Sequence, residues 1–384
     1  MLKIAIIGCG KIADDHLDQI RKIERVRDCK VVATCDKEPL MAKQLAERFR
    51  LERYFSDAEE MLKECKPDVV HITTPPRSHH SLGKLCLDSG CHVYIEKPFT
   101  VNAEEAEELI HLSNRQGLKI TAGHDIQFSH VARRFRQLVG DGYLGGRPVH
   151  IESYYCYDLG DPRYAKAFLS NDHHWLRDLP GLLLHNIISH GIARIAEYLT
   201  TDHPKVFAHG FVSPMLRGLG EKQIIDELRV VIVEEQRTTA YFTFSSQMRP
   251  SLNAFRVFGP KNGLSLDQDR ETLLKLRGDA YKSYAEKFIP PAELAWQQIS
   301  NLAGNLRRFL GNDFHMKSGM KHLIDAFYRS IQEAGALPIP IREILLTARI
   351  MDRIFEQLPQ EADFRQDVAT MRPKAATQGS AAVV

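Results

Sequence analysis

In the first third of the chain, apolar residues gather into short β-branched runs separated by stretches of helical period. The runs are Lys3–Ile7, Val31–Cys35, Asp68–Ile72, His92–Ile95 and Leu118–Thr121. Continuous apolar runs of this length, closed by turn residues, predict strands buried on both faces. Between them, Lys11–Ile23, Pro39–Arg48, Ser78–Ser89 and Ala103–Gln116 carry apolar residues at helical spacing. Alternating strands and helices predict an α/β domain over residues 1–123, a parallel sheet with helices on both faces.

After Gly123 the period changes. A helix is predicted over Val131–Val139, then long alternating strands at Val149–Tyr157, Lys205–Val212, Leu228–Glu235 and Thr238–Ser245. Such alternation suits a mostly antiparallel open sheet with helices on one face, an α+β domain over residues 124–358. Helices are predicted again around Met320–Glu333 and Arg342–Leu358. Beyond Pro359 the chain turns polar, then rich in small residues, which predicts a disordered tail over 359–384. Residues 279–312 are long for a connection. Ala295, Ile299, Leu302, Leu306 and Phe309 follow helical spacing there, with Arg307 and Arg308 near the end. A basic amphipathic helix can rest on a membrane surface. The reading adopted is that its stripe is buried in the subunit or in an oligomer contact.

Charge and composition narrow the classes. The 384 residues include 51 basic and 49 acidic ones, a balance without the basic excess that nucleic-acid binding requires. No apolar run approaches the ~18 residues of a membrane span, and the apolar N-terminal stretch Ile4–Cys9 is too short for an export signal. The seven cysteines include no Cys-x-x-Cys pair. They read as reduced, buried thiols of a cytoplasmic protein, and no metal site is expected.

Gly8-Cys9-Gly10-Lys11-Ile12-Ala13 has the G-x-G-x-x-A form of a dinucleotide fingerprint. It follows the first predicted strand and opens a helix, the context that a Rossmann domain requires. Gly8 permits the tight turn, Gly10 lets backbone approach a pyrophosphate, and Ala13 allows close helix–strand packing. The N–H groups at Lys11 and Ile12 open the helix toward the phosphates. Asp36, ending the second strand, is placed to accept the ribose hydroxyls and to repel a 2′-phosphate. NAD is therefore expected rather than NADP, with Lys37 beside it as an ordinary solvated lysine.

Glu96-Lys97-Pro98 follows the strand His92–Ile95, and Thr74-Pro75-Pro76-Arg77-Ser78-His79 follows the strand Asp68–Ile72. With the fingerprint, these segments resemble the glucose–fructose oxidoreductase and inositol dehydrogenase (Gfo/Idh/MocA) family. Phe258–Gly263 looks like the family's late glycine turn. Phe327–Ile331, Pro338–Pro340 and the helix around Met351 look like its C-terminal segment. The resemblance covers roughly residues 1–358. It implies hydride transfer at a hydroxyl-bearing carbon of a sugar, sugar derivative or cyclitol. It also implies a cofactor site that adds Thr73, Thr74, Pro75, His79 and Glu96, and a dimer or tetramer formed by sheet pairing. Lys97 is the implied catalytic lysine beside the substrate hydroxyl and nicotinamide, and a cis bond to Pro98 is implied to aim it into the cleft; such a bond costs about 0.5–1 kcal/mol. An ammonium at the C-terminal edge of a parallel sheet is suited to stabilise charge growing on oxygen as hydride leaves carbon.

The family also carries Asp and His four residues apart on a helix, which here are Asn186 and His190. Residues i and i+4 share a face, so both are expected beside Lys97. His190 is the expected general base and Asn186 its orienting or substrate-binding neighbour. His185, about 100° round the helix, is a second substrate contact or a packed residue. Asp125 and Gln127 stand where relatives often have Asn and Arg, and neither receives a role. Trp175 offers a face to sugar C–H groups. Arg177, with Arg163 and His173/His174, suggests an anionic substrate such as a uronate or nucleotide sugar, or else a solvated basic loop. Missing the carboxylate at 186, the chain also admits two other classes: a dinucleotide-binding regulator without catalysis, or a redox-neutral NAD enzyme catalysing epimerisation, elimination or glycoside cleavage.

Overall fold

The computed structural model describes residues 1–156, 158, 174–278, 281–282, 284–314 and 317–358. The expected tail over 359–384, and Arg163 and His173, lie outside the described residues. Six parallel strands form the first sheet: β1 (Leu2–Ile7), β2 (Cys29–Cys35), β3 (Tyr54–Phe55), β4 (Val69–Ile72), β5 (His92–Ile95) and β6 (Ile120–Ala122), in the order β3-β2-β1-β4-β5-β6. Helices α1 (Lys11–Ile23), α2 (Pro39–Phe49), α3 (Ala58–Cys65), α4 (His79–Asp88) and α5 (Ala103–Arg115) make the crossovers. The central strands are buried throughout, with Ile4, Ala5, Ile6, Val69, Val70 and Ile72 at 0% exposure, which is why they read as unbroken apolar runs. The short β3 and α3 escape the hydrophobic pattern; Asp57 caps α3 by accepting from Glu60 N at 2.8 Å.

Helix α6 (His130–Gly140) leads into a seven-stranded sheet. Its strands are β7 (His150–Cys156), β8 (Lys205–Phe211), β9 (Glu227–Glu234), β10 (Thr238–Ser245), β11 (Leu252–Phe258), β12 (Asn262–Asp267) and β13 (Thr272–Arg277). The order is β13-β12-β11-β7-β10-β9-β8, antiparallel except for the parallel pair β7/β10. The expected single helix through Asn186 and His190 is two short ones, α7 (Leu182–Ile187) and α8 (Ser189–Ala196), meeting at Ile188. The short α9 (Pro214–Gly218) follows β8.

Three helices end the described residues: α10 (Ala285–Leu310), α11 (Ser318–Gln332) and α12 (Ile341–Phe355). Helix α11 returns to the first sheet, where Met320, Leu323, Ile324, Phe327 and Tyr328 join the core of β1, β4 and β5. Helix α12 spans both cores, placing Ile344 in the first and Ile350, Ile354 and Phe355 in the second. Of the two places expected for the α10 stripe, the subunit interior and an oligomer contact, the first is not where it lies. None of its residues is buried, because side-chain amides rather than apolar groups face β13. Among the described residues, no helix is long and apolar enough to cross a membrane.

Candidate active site

Four loops meet at the C-terminal edge of the first sheet, following β1, β4, β5 and β6. Strand order reverses between β1 and β4, where open parallel sheets form a ligand crevice. The first loop has the shape its glycines foretell. Gly8 has φ +98°, and a Cβ there would sit 2.7 Å from the backbone N of Thr74. Gly10 is the extended N-cap of α1 without a side-chain cap, and a Cβ there would meet nothing within 4 Å. The uncapped helix start, with exposed Lys11 and half-buried Ile12, therefore faces open space. Asp36 braces this loop: Oδ2 accepts from Cys9 N at 2.6 Å and Oδ1 from Glu38 N at 3.0 Å. A bare helix N-terminus, a glycine N-cap with open space before it and a carboxylate one strand away fit a dinucleotide.

The second loop is a strut. Thr73 is buried, its hydroxyl donating to Gly8 O at 2.6 Å, and the Thr74 hydroxyl accepts from Ser78 Oγ at 2.7 Å. Pro75 is exposed beside them. His79 lies between the second and third loops. It is fully buried, with Nε2 2.8 Å from Thr74 O and Nδ1 2.9 Å from Pro98 O. It ties the second loop to the third instead of facing a ligand.

The third loop carries Glu96 and Lys97, and the Lys97–Pro98 bond is cis. Glu96 is buried, accepting from Lys97 N at 3.2 Å through Oε2 and meeting His16 Nε2 at 2.9 Å through Oε1. Burial raises its pKa, but the His16 contact and the Lys97 charge outweigh that and hold it below the usual carboxylate range. Gly123, in the fourth loop, leaves room for this carboxylate: a Cβ there would lie 2.7 Å from Glu96 Oε1. Lys97 reaches across to α7, where Nζ donates to Asn186 O at 3.0 Å and to Asn186 Oδ1 at 3.2 Å. Burial lowers its pKa, and the Glu96 and Asp125 charges oppose the shift.

His190, 7% exposed, comes to the same place from α8 despite the break at Ile188. Its pKa lies well below the ordinary value, through burial first and the Lys97 charge second. Its Nδ1 is buried without a hydrogen-bond partner among the described residues. Its Nε2 lies 4.0 Å from Asp125 Oδ1. Sequence reasoning gave Asp125 no role, although its place two residues past Gly123 at the sheet edge was a usable signal. Burial, then the Glu96 charge, raises the Asp125 carboxyl to about 6.

Other expected substrate residues have partners within the protein. His185 is 1% exposed and stacks on Phe355 at 5.0 Å and 17°, so it belongs to the second core. Arg177 pairs with Glu221 at 2.8 Å, which engages the charge expected to meet an anion. Trp175 is half-buried in a 3-10 turn, its ring 5.3 Å from that of His174. Gln127, which the sequence analysis gave no role, is buried and donates to Glu197 Oε2 at 2.9 Å.

Comparison with known proteins bears on this arrangement. Residues 2–124 match the family model GFO_IDH_MocA, described as an oxidoreductase family with an NAD-binding Rossmann fold. D-glucoside 3-dehydrogenase of Escherichia coli (strain K12) is 32% identical over 144 residues, covering 38% of this chain and 40% of that protein. The chain thus spans about two fifths of the length of that curated relative. Myo-inositol 2-dehydrogenase of Thermotoga maritima is 22% identical over 294 residues, 75% of this chain and 83% of its own. Among solved structures, UDP-N-acetylglucosamine 3-dehydrogenase from Acidithiobacillus ferrooxidans aligns with TM-score 0.68 at 17% identity, over 94% of this chain and 99% of that one. The WlbA dehydrogenase from Bordetella pertussis, solved with NADH and UDP-GlcNAcA, aligns with TM-score 0.70 at 14% identity, over 93% and 96%. At these identities the structural matches speak for the fold of both domains. With its fingerprint and Glu96-Lys97-Pro98 loop in place, the stretch 2–124 of this chain is similar to the NAD-binding domain of the Gfo/Idh/MocA oxidoreductase family.

Proposed function

We propose that this protein is an NAD-dependent dehydrogenase or reductase acting on a hydroxyl-bearing carbon of a sugar, sugar derivative or cyclitol. The observation that carries this reading is the Lys97–Asn186 contact, with His190 beside it, at the sheet edge that the dinucleotide loop shares. Asp36 receives the ribose hydroxyls, and the start of α1 receives the pyrophosphate. The bound nicotinamide supplies or accepts the hydride. Asn186 holds the Lys97 ammonium toward the substrate oxygen, where it stabilises negative charge as hydride leaves carbon. His190, neutral at pH 7 because burial and Lys97 disfavour its charged form, takes the hydroxyl proton at Nε2, since Nδ1 is buried. Asp125, 4.0 Å away, then stabilises the imidazolium. The products of this step are a carbonyl compound and a protonated His190.

The related enzymes named for glucosides, inositol and UDP-N-acetylglucosamine support a polyhydroxylated ring as substrate. With Arg177 engaged by Glu221, an anionic group on that ring loses its main support. Asn186, whose amide raised the regulatory alternative, is the hydrogen-bond partner of Lys97, its amide oxygen accepting where a carboxylate would also add charge. The test is NADH absorbance with purified protein, NAD and a panel of sugars, uronates, cyclitols and nucleotide sugars at mildly alkaline pH. Lys97→Ala is expected to lower turnover by about 100-fold or more while NAD affinity is retained. Normal turnover in that variant overturns the assignment.

A further inference from the structure

Helix α10 is fastened along one side and bare along the other. Gln297, Asn301 and Asn305 recur every fourth residue and face the edge strand β13. Gln297 accepts from Lys275 N at 2.7 Å and donates to Lys275 O at 3.1 Å; Asn301 does the same to Leu273 at 3.4 and 3.0 Å. Asn305 donates to Arg270 O at 3.0 Å. These amides act as the backbone of a further strand, and they block the sheet edge. On the other side, Ala292, Ala295, Ile299, Leu302, Leu306 and Phe309 alternate at steps of three and four residues, the spacing of a helix–helix seam. The seam and its flanks are open: Trp296, Ile299, Leu302, Leu306, Phe309 and Leu310 are between 53% and 82% exposed.

We infer that this seam docks against α10 of a second copy of the chain, with the two helices antiparallel. That pairing sets Ala292 against Phe309, Ala295 against Leu306 and Ile299 against Leu302, each layer twice by symmetry. Small residues meet large ones, so the seam closes without voids. Charge selects the direction. The first turn holds Glu286 beside Lys287 and the last turn holds Arg307 and Arg308, so a parallel pair sets the two arginine turns side by side and an antiparallel pair keeps them apart. Area is sufficient. Phe288, Trp296 and Phe309 are 70%, 68% and 67% exposed. An aromatic side chain buries roughly 150–250 Å², so with the aliphatic residues the two copies exceed the ~1,000 Å² of a specific interface. Residues 359–384 make a poor cover. They follow Leu358, which packs against Gly210 of β8 at the opposite edge of the sheet, and they hold few large apolar residues. A lipid surface is also a poor match, because between Lys287 and Arg307 the side of α10 opposite the seam carries no cation and is fastened to β13 by amides.

The test is the mass of the full-length protein by light scattering at micromolar concentration. Leu302→Glu/Leu306→Glu is expected to halve that mass and to leave the melting temperature unchanged, because both side chains are exposed. Direction is read by disulfide trapping. All seven native cysteines are buried thiols, so Ala295→Cys and Leu306→Cys supply the only accessible ones. Cross-linking in a mixture of the two variants, and not in either alone, supports the antiparallel pair. The inference is overturned by an unchanged mass in the glutamate variant, or by cross-linking of the single variants as strong as that of the mixture. It is also overturned by loss of the dimer in a chain stopped after Leu358, or by a monomer whose seam binds anionic phosphatidylserine vesicles.

Discussion

The Nε2 of His16, midway along α1, lies 2.9 Å from Oε1 of Glu96 at the end of β5. This contact ends a buried chain: His16 Nδ1 faces His71 Nδ1 at 2.9 Å, and His71 Nε2 faces the Tyr328 hydroxyl at 2.7 Å. One arrangement satisfies every link. Tyr328 donates to His71, His71 donates through Nδ1 to His16, and His16 donates through Nε2 to an ionised Glu96. Burial, then the neighbouring His16, keeps His71 far below the usual histidine range, so it is neutral as the arrangement requires. The chain thus ties α1, β4 and α11 to the loop that carries Lys97. His16→Leu leaves the buried Oε1 of Glu96 without its partner and is expected to cost about 1–3 kcal/mol. His16→Gln keeps a donor and is expected to recover part of that loss. Urea midpoints at constant slope measure both, and a leucine variant as stable as wild type disproves a structural role for the chain.

Asp36 governs cofactor choice through a charged hydrogen bond. Its carboxylate is already oriented by Cys9 N and Glu38 N, so it is preorganised to receive ribose hydroxyls. Hydrogen bonds to charged groups contribute about 1.5–3 kcal/mol. Asp36→Ala is therefore expected to weaken NADH binding by roughly 10–100-fold and to bring NADPH within reach of exposed Lys37. Fluorescence titration with both nucleotides reads the ratio, which stays at its wild-type value if Asp36 only braces the loop.

Asp125 is expected to set the acid limb of catalysis. Its carboxyl is raised to about 6, chiefly by burial, against the opposing charges of Lys317 and Lys97. Below that pH it is protonated and no longer stabilises the His190 imidazolium. The wild-type kcat/KM is expected to fall as pH drops through about 6. Asp125→Asn is expected to lower the plateau roughly ten-fold, equivalent to one pKa unit at His190, and to abolish the limb at 6. A limb at the same pH in both proteins assigns it to another group.

These features differ in how legible they were. The first sheet could be read because its strands are buried on both faces, and each ends at a chemically marked residue such as Gly8, Asp36 or Glu96. Asp125 and His190 are 65 residues apart and on different elements, so no local period links them. His79 and Thr73 look like ligand residues in a motif, yet their hydrogen bonds run to backbone, which only the folded loops reveal. In α10 the apolar period is the same whether the stripe meets its own subunit or another. The discriminating signal was on the opposite side, where Gln297, Asn301 and Asn305 replace the charges of a solvated face.

Acid stability follows from the buried histidines. Burial holds His124 and His185 down at about 4, and His190 also lies well below its ordinary value. In the unfolded chain these groups titrate near 6.5. Between those values the unfolded state binds more protons, so stability falls as pH drops from 6.5 toward 4. Asp125 and Glu343, raised mainly by burial to about 6 and about 7, act in the opposite sense, because the folded state keeps their protons. Their gain accrues as pH falls through 7 and 6 and partly masks the histidine loss. His185 offers a clean separation, being 1% exposed and stacked on Phe355. His185→Phe preserves an aromatic stack and removes one titrating group. It is expected to spare the protein about 2 kcal/mol of the change between pH 6.5 and 5. Urea unfolding at the two pH values, on wild type and variant, measures the difference. Equal pH slopes would mean that His185 is already protonated in the folded protein, with a buried partner for its charge.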